Sequence, residues 1–439
     1  MNTPMKQSGR FAAMLFLLTG LLLAHDDCSA QESVMDDSFV LNTKGMPPLP
    51  RVPPRTLINR SNLSQYLPHL SPAMAEMIRL GWVELPLTNT TSFDLETQYV
   101  ELSRRNTGKA QIASQGFGLT GYQGGRPFNH DPQPGDPQAG EKIAWNFRYR
   151  PGDGGAISPI QWKYVDLNTG KLDRLLRVEV RFMKYKYRTR TVPRPDVQPN
   201  PSALYFASHL KVMDPPDLRN TQLLIQRFDD DSKNDDSYLY MPFQRRVRRL
   251  APGQNTDAFL GSDVMIEDFE GYNARVSDMR WKYLESGYLF MPFFNHTEQS
   301  LSSEFNDPDG FQYIAFGGQG ECFPNIQWQL RKVHVVEATP VRPDHPVSKR
   351  IFHFDAQTYE IGLTAIYDRK GTLWKVGILG KSHPDHHLPV NKGSGLPISD
   401  AGAMIDVQAK HCSTAQFKTI ADPRLSQPGL FQVQSIRGD

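Results

Sequence analysis

The sequence lacks a surplus of either charge. Lys and Arg number 49 against 47 Asp and Glu in 439 residues, a formal net charge of +2. A general electrostatic pull on nucleic acid is thereby excluded, leaving only local patches to consider. Beyond residue 30 no apolar run reaches the roughly 20 residues that a membrane-spanning helix needs. Common enzyme signatures are missing as well: there is no GxSxG elbow, HExxH, Walker loop or strand-following GxGxxG. Cysteine is scarce, at three residues, and neither Cys322 nor Cys412 is flanked as a catalytic nucleophile would be. No repeat of fixed period is evident. The composition of a disordered chain is also absent, because 39% of residues are hydrophobic and 22% charged. Those are globular proportions, and the length allows one large or two ordinary domains.

The first thirty residues are of a different kind. Lys6 and Arg10 precede FAAMLFLLTGLLLA (11–24), and CSA closes at Ala30. This order of basic, apolar and small residues is that of an export signal, expected to be cleaved near Ala30 and to leave a periplasmic protein. An acyl anchor at Cys28 is disfavoured by the preceding HDD, where a lipobox carries small or aliphatic side chains. Cleavage leaves two cysteines, Cys322 and Cys412. In an oxidising compartment such a pair reads as a disulfide, the alternative being two separate buried thiols. The bridge would close a loop of about 90 residues, worth roughly 4–5 kcal/mol on the chain-entropy model.

Residues 31–56 contain GMPPLPRVPPR and are expected to form an extended, proline-rich arm. A folded domain over 57–390 follows, with a helical opening at 57–120. There, Ser71 caps a helix that starts at Pro72 and ends before Gly81, and FDLETQYVELSRRN (93–106) has a second helical spacing. Strands are expected over 140–380, among them AWNFRYR, IQWKYVDL, SYLYMP, VSDMRWKYLE, RIFHFD and TLWKVGI. Little helix separates them, which predicts antiparallel pairing. Alternation changes phase within 176–187, and a bulge near 182–183, or a strand whose two ends pack against different layers, would explain it. Residues 391–439 form a C-terminal segment that the disulfide would tie back.

Few constellations suggest chemistry. SHPDHH offers His383, Asp385, His386 and His387, yet no helical spacing or distant ligand set completes a metal site, and a solvated loop is the plainer reading. FDDDSKNDDS (228–237) and FNDPDG (305–310) lack calcium-loop spacing and read as turns. Arg245, Arg246, Arg248 and Arg249 have no interleaved aromatics. They fit an edge strand whose charges meet the neighbouring carboxylates, or else an anionic head group, with the first preferred.

DDSYLYMPFQRRVRRL, followed by Gly261-Ser262-Asp263 and Glu267-Asp268, resembles the signature of outer-membrane lipoprotein-sorting-like proteins. GRPF…AGEKIAWNFRYR (125–150), RKVHVVEATPVRPDHPVSKRIFHFDAQTYEIGLTAIYDRKGTLWKV (331–376) and NLSQYLPHLSPAMAEMI narrow the likeness to the domain of unknown function 1329 family, over roughly 57–380. The resemblance implies a mainly β (α+β) fold: a strongly curved antiparallel sheet in an unclosed half-barrel, with helices and loops covering its concave face. It also implies a binding or carrier role for lipid or lipidated cargo in envelope transport, in company with an RND-type transporter or outer-membrane protein. A structural adaptor without a lipid ligand is the alternative. No enzyme activity, cofactor, metal or nucleic-acid partner is expected. The ligand-facing residues are expected among Trp162, Tyr164, Tyr240, Trp281, Tyr283, Phe352, Phe354 and Trp374, since such rings cover apolar chains while their polar atoms stay satisfied.

Overall fold

A computed structural model describes residue 39 and residues 56–114, 117–305 and 307–436. The expected signal and nearly all of the proline-rich arm lie outside the described residues. Sixteen strands form one sheet. They are β1 (Leu57–Ile58), β2 (Leu85–Thr88), β3 (Gly154–Asp166), β4 (Leu172–Lys184), β5 (Leu204–Asp214), β6 (Gln222–Phe228), β7 (Asp236–Met241) and β8 (Arg246–Arg249), then β9 (Met279–Met291), β10 (Phe293–Phe294), β11 (Trp328–Pro340), β12 (Val347–Asp355), β13 (Ile361–Asp368), β14 (Leu373–Ser382), β15 (Ile398–Asp406) and β16 (His411–Ile420). The spatial order runs β1-β2-β11-β12-β13-β14-β15-β16-β3-β4-β5-β6-β7-β8, with β9 on β11 and β10 on β14. Pairing is antiparallel except for β2 with β11 and β10 with β14. The sheet thus extends past residue 380, and the C-terminal segment supplies two of its middle strands.

Register shifts punctuate the long strands, between Ile157 and Ile160, Tyr164 and Val165, Arg177 and Val178, and Gly380 and Lys381. Such irregularities bend a strand and increase its twist, which a strongly curved sheet requires. None falls at 182–183. The phase change there arises because β4 ends at Lys184 and the chain turns away, with Tyr187 at φ 58°.

The sheet does not close among the described residues: no ladder joins β8 to β9. Side chains span the opening instead. The Ser277 amide donates to the Asp231 carboxylate at 2.9 Å, Arg148 pairs with Asp231 at 3.4 Å, and Arg227 pairs with Asp235 at 2.6 Å while donating to the Asn273 carbonyl.

Both faces are covered. On the concave face lie helix α3 (Ala139–Arg148) and the irregular segment 259–271; on the opposite face lie α1 (Pro72–Arg79), α2 (Thr97–Arg105) and much of 290–326. Ser71 caps α1 by accepting the Met74 amide, and Gly81 follows at φ 75°, as its sequence predicts. AWNFRYR is not a strand. It forms the end of α3, where Ile143, Ala144 and Phe147 are buried with Phe352 and Phe354. Its aromatic content suggested a strand, but the 3–4 residue spacing of those buried positions is helical. Gly140 lets α3 touch the β9 backbone, since a Cβ there would lie 2.7 Å from the Trp281 carbonyl carbon. The Cys322–Cys412 disulfide, with Cα atoms 6.0 Å apart, fastens the 318–322 turn to β16 on the convex face.

Candidate functional site

The signature stretch divides into two structures. Its first half is the β7–β8 hairpin, in which Val247 opposes Tyr240 and Arg249 opposes Tyr238. Arg245, Arg246, Arg248 and Arg249 are all exposed on this edge. Arg249 pairs with Asp236, whereas the other three make no ion pair among the described residues. Pairing with local carboxylates therefore accounts for one arginine of the cluster.

The second half leaves the sheet edge and crosses the concave face as a lid. Leu260, Gly261, Glu270 and Gly271 have positive φ, so the backbone folds sharply at both ends of the lid. Gly271 has no alternative: a Cβ there would lie 2.9 Å from the Ile361 Cβ. Acidic residues fasten this segment to the sheet. Asp263 accepts from Ser413 Oγ at 2.7 Å and lies 2.8 Å from His411 Nδ1, while its carbonyl accepts from Lys375 Nζ at 2.5 Å. Glu267 and Asp268 share Arg350, at 2.5 and 2.8 Å, and His345 lies 3.2 Å from Glu267. Glu270 accepts from Ser399 Oγ at 3.0 Å.

These anchors fix the charge states. Burial would lower the Arg350 guanidinium, but Glu267 and Asp268 outweigh it and raise it. Burial raises Asp268, with the Glu267 charge adding to the push, whereas Arg350 and His345 hold Glu267 below its ordinary value. Burial would lower His411; hydrogen bonding and charge from Asp263 and Asp173 raise it instead.

Between lid and sheet lies a cavity of about 310 Å³, within the roughly 300–1,000 Å³ range of small-molecule sites. The strand register arranges its wall in rows. The inner row is Thr364, Gly377, Met404 and Ser413, and the middle row is Leu379, Gly402, Ala415 and Trp162, with Val264 and Phe269 of the lid also lining the space. At the other end Arg150, Lys184, Glu360, Lys381 and Ser399 form a polar rim. Arg150 lies 2.8 Å from Glu360, and Lys381 lies 2.9 Å from the same carboxylate. Burial would raise Glu360, but these two cations outweigh it and lower it.

Of the aromatic residues expected to face a ligand, Trp162 lines the cavity. Tyr164 is buried beside it, with ring centroids 6.1 Å apart. Trp281, Phe352 and Phe354 form the core under α3, with Tyr283 partly buried against it. Tyr240 packs with Phe431 and Ile436, and Trp374 donates its indole N–H to Asp406 at 2.7 Å beside Met265. Ring type reveals that a residue packs, but not against which layer. Many of the wall residues missed from sequence are Gly, Leu, Ile, Phe and Met, which carry no distinguishing signal.

The histidine cluster also separates. His383 stacks on Phe93, and Asp385 and His386 are exposed. The His387 side chain is buried and meets two distant residues: Asp400 lies 3.3 Å from its Nε2, and Asp400 is 2.8 Å from His296 Nδ1. These three could surround a metal, but Asn391 opposes that. Its Nδ2 donates to the Thr419 carbonyl and its Oδ1 accepts from the Ala421 amide, so Nδ2 also donates to His387 Nδ1 at 2.9 Å. The His387 proton then sits on Nε2, the atom a metal would need free. The trio is a buried polar link between β15 and the 384–391 loop.

The sequence profile described as "Protein of unknown function (DUF1329)" matches residues 57–437. The chain belongs to this family. An uncharacterized protein of Pseudomonas aeruginosa is 25% identical over 338 residues, covering 74% of this chain and 68% of the relative. A crystal structure of a DUF1329 family protein from Desulfovibrio piger superposes with a TM-score of 0.47 at 15% identity, covering 69% of this chain and all of that one. A LolA superfamily protein from Nitrosomonas europaea gives a TM-score of 0.39 at 12% identity, covering 68% of this chain and 98% of its own. In this DUF1329 member the GSD and ED elements of the signature are the fastenings of a lid.

Proposed function

We propose that this protein is a non-catalytic periplasmic carrier that encloses apolar chains of lipid or lipidated cargo. The observation that carries the reading is the cavity under the signature lid, whose middle row of Leu379, Gly402, Ala415 and Trp162 is apolar. Enclosure of that kind stabilises an alkyl chain by removing it from water, at about 25 cal/mol per Å². An RND-type transporter or an outer-membrane protein as partner comes from the family resemblance, and a periplasmic location from the export signal read in residues 1–30. No helix among the described residues is long and apolar enough to cross a membrane.

The test is lipid extraction and mass spectrometry of protein purified from its native envelope, beside a Gly377→Leu variant. Gly377 lines the cavity, and a Cβ there meets nothing closer than 3.5 Å, so leucine fills space without forcing the backbone. Stoichiometric lipid on the native protein and its loss from the variant are expected. Native protein without lipid would refute the carrier reading.

A further inference from the structure

The cavity's polar rim identifies the ligand's head. The ionisable groups lining the cavity are Arg148, Arg150, Lys184, Arg227 and Lys381 against Asp268, Glu270 and Glu360. Arg148 is matched by Asp231, Arg227 by Asp235, and Asp268 by Arg350. Among the groups that line the cavity, what remains at the rim is Arg150, Lys184 and Lys381 facing Glu360 and Glu270, one cation in excess, while Asp153 and Glu96 lie outside the lining. Arg150 and Lys381 both turn to Glu360, and Lys381 also lies 3.6 Å from Glu270. Lys184 makes no ion pair among the described residues: its Nζ donates to the Arg150 carbonyl at 2.5 Å, and the buried Asp153 and Glu96 act on it only at longer range. A half-buried ammonium with one neutral partner has donors to spare, and low-dielectric surroundings strengthen its attraction for an anion.

We propose that the cavity takes amphiphiles bearing an anionic terminal group, a carboxylate or a phosphate monoester. That group sits at Lys184 between Arg150 and Lys381, and the alkyl chain runs toward Trp162. This inference rests on the carrier reading above. The strand register supports the orientation, because Lys381 pairs with Ser399 on the rim row while Met404 pairs with Gly377 on the inner row. Burial pushes Lys184 down to about 8; Asp153, Glu96 and Glu360 pull it up, and Arg150 pushes it further down. Part of the charge that receives the ligand is therefore lost at mildly alkaline pH, and a bound anion would restore it.

Equilibrium binding of palmitate, hexadecyl phosphate and hexadecanol to the delipidated full-length protein tests the proposal, with Lys184→Met and Lys184→Arg variants. One or both anions should bind the native protein at least tenfold more tightly than the alcohol. Lys184→Met should lose roughly tenfold to a hundredfold for the anion alone, the scale of one charge-assisted hydrogen bond, and Lys184→Arg should keep most of it. Anion affinity should fall between pH 7 and 10 while alcohol affinity stays level. Binding of all three ligands with equal affinity would overturn the head-group assignment and leave the carrier reading intact. Binding of none would refute both. An equal loss of anion and alcohol in Lys184→Met would give Lys184 a structural role and overturn the assignment.

Discussion

Replacing Arg350 by Met should destabilise the protein more than any other single change at the lid. Arg350 is fully buried and stands between two nearly buried carboxylates, Glu267 and Asp268. Removing the guanidinium leaves both acids out of water, with His345 near Glu267 and the Met265 amide donating to Asp268 as their remaining partners. Breaking a buried pair from one side typically costs about 3–5 kcal/mol, and this site would lose two contacts at once. The loss should also depend on pH in a defined direction. Without Arg350 both carboxyls would have folded-state pKa values above their unfolded ones, so the folded form holds more protons. Stability of the variant then falls as pH rises through those raised values and is regained on acidification. Urea denaturation followed by tryptophan fluorescence, at pH 5.5 and pH 8, measures both effects. Adding Glu267→Gln and Asp268→Asn should recover much of the loss, since neutral amides leave no uncompensated charge. A variant within about 1 kcal/mol of the native protein at pH 8, or a loss equal at the two pH values, would refute the assignment of the ED element as a buried anchor.

Other consequences are simpler to check. Reducing the Cys322–Cys412 bridge, or replacing both residues by alanine, should cost about 2–5 kcal/mol, read as a lower denaturation midpoint matched by native protein in reductant. Gly140→Val should prise α3 from β9, where a Cβ would lie 2.7 Å from main-chain atoms, and a lower midpoint with raised dye binding would report it. His411 contributes through Asp263 and Asp173 while protonated. Its contribution should be full below about pH 6.5, the ordinary histidine value, and vanish as pH rises past its raised folded value; the difference in stability between native protein and His411→Gln should narrow accordingly.

The sequence reveals the class of the fold better than its depth. Ser71, Pro72 and Gly81 mark α1 because capping and left-handed conformation are local requirements. The strands between 154 and 382 are mostly legible from β-branched and aromatic runs. The β15 strand is not: ISDAGAMID is buried at all nine positions, yet small and polar residues make it resemble a loop. It is central and covered on both faces, so no alternation remains to be read. Aromatic residues revealed packing without choosing the face, which is why Trp162 lines the cavity while Trp281 and Phe352 support α3. Lys184 and the partners of His387 escaped notice for another reason: their meaning depends on residues far away in the chain, brought close by the sheet's curvature.

The open side of the sheet has a mechanical consequence. A closed barrel admits cargo through its ends, because parting two strands breaks a whole ladder of main-chain hydrogen bonds together. Here the two margins are joined by a seam of side chains, chiefly Arg148 to Asp231 and Asp231 to the Ser277 amide. A seam of that kind can be undone contact by contact while every strand keeps its partners. The bowl can therefore widen sideways with its ladders intact, and the Ser277 amide should exchange its hydrogen faster than any amide in the ladders on either side.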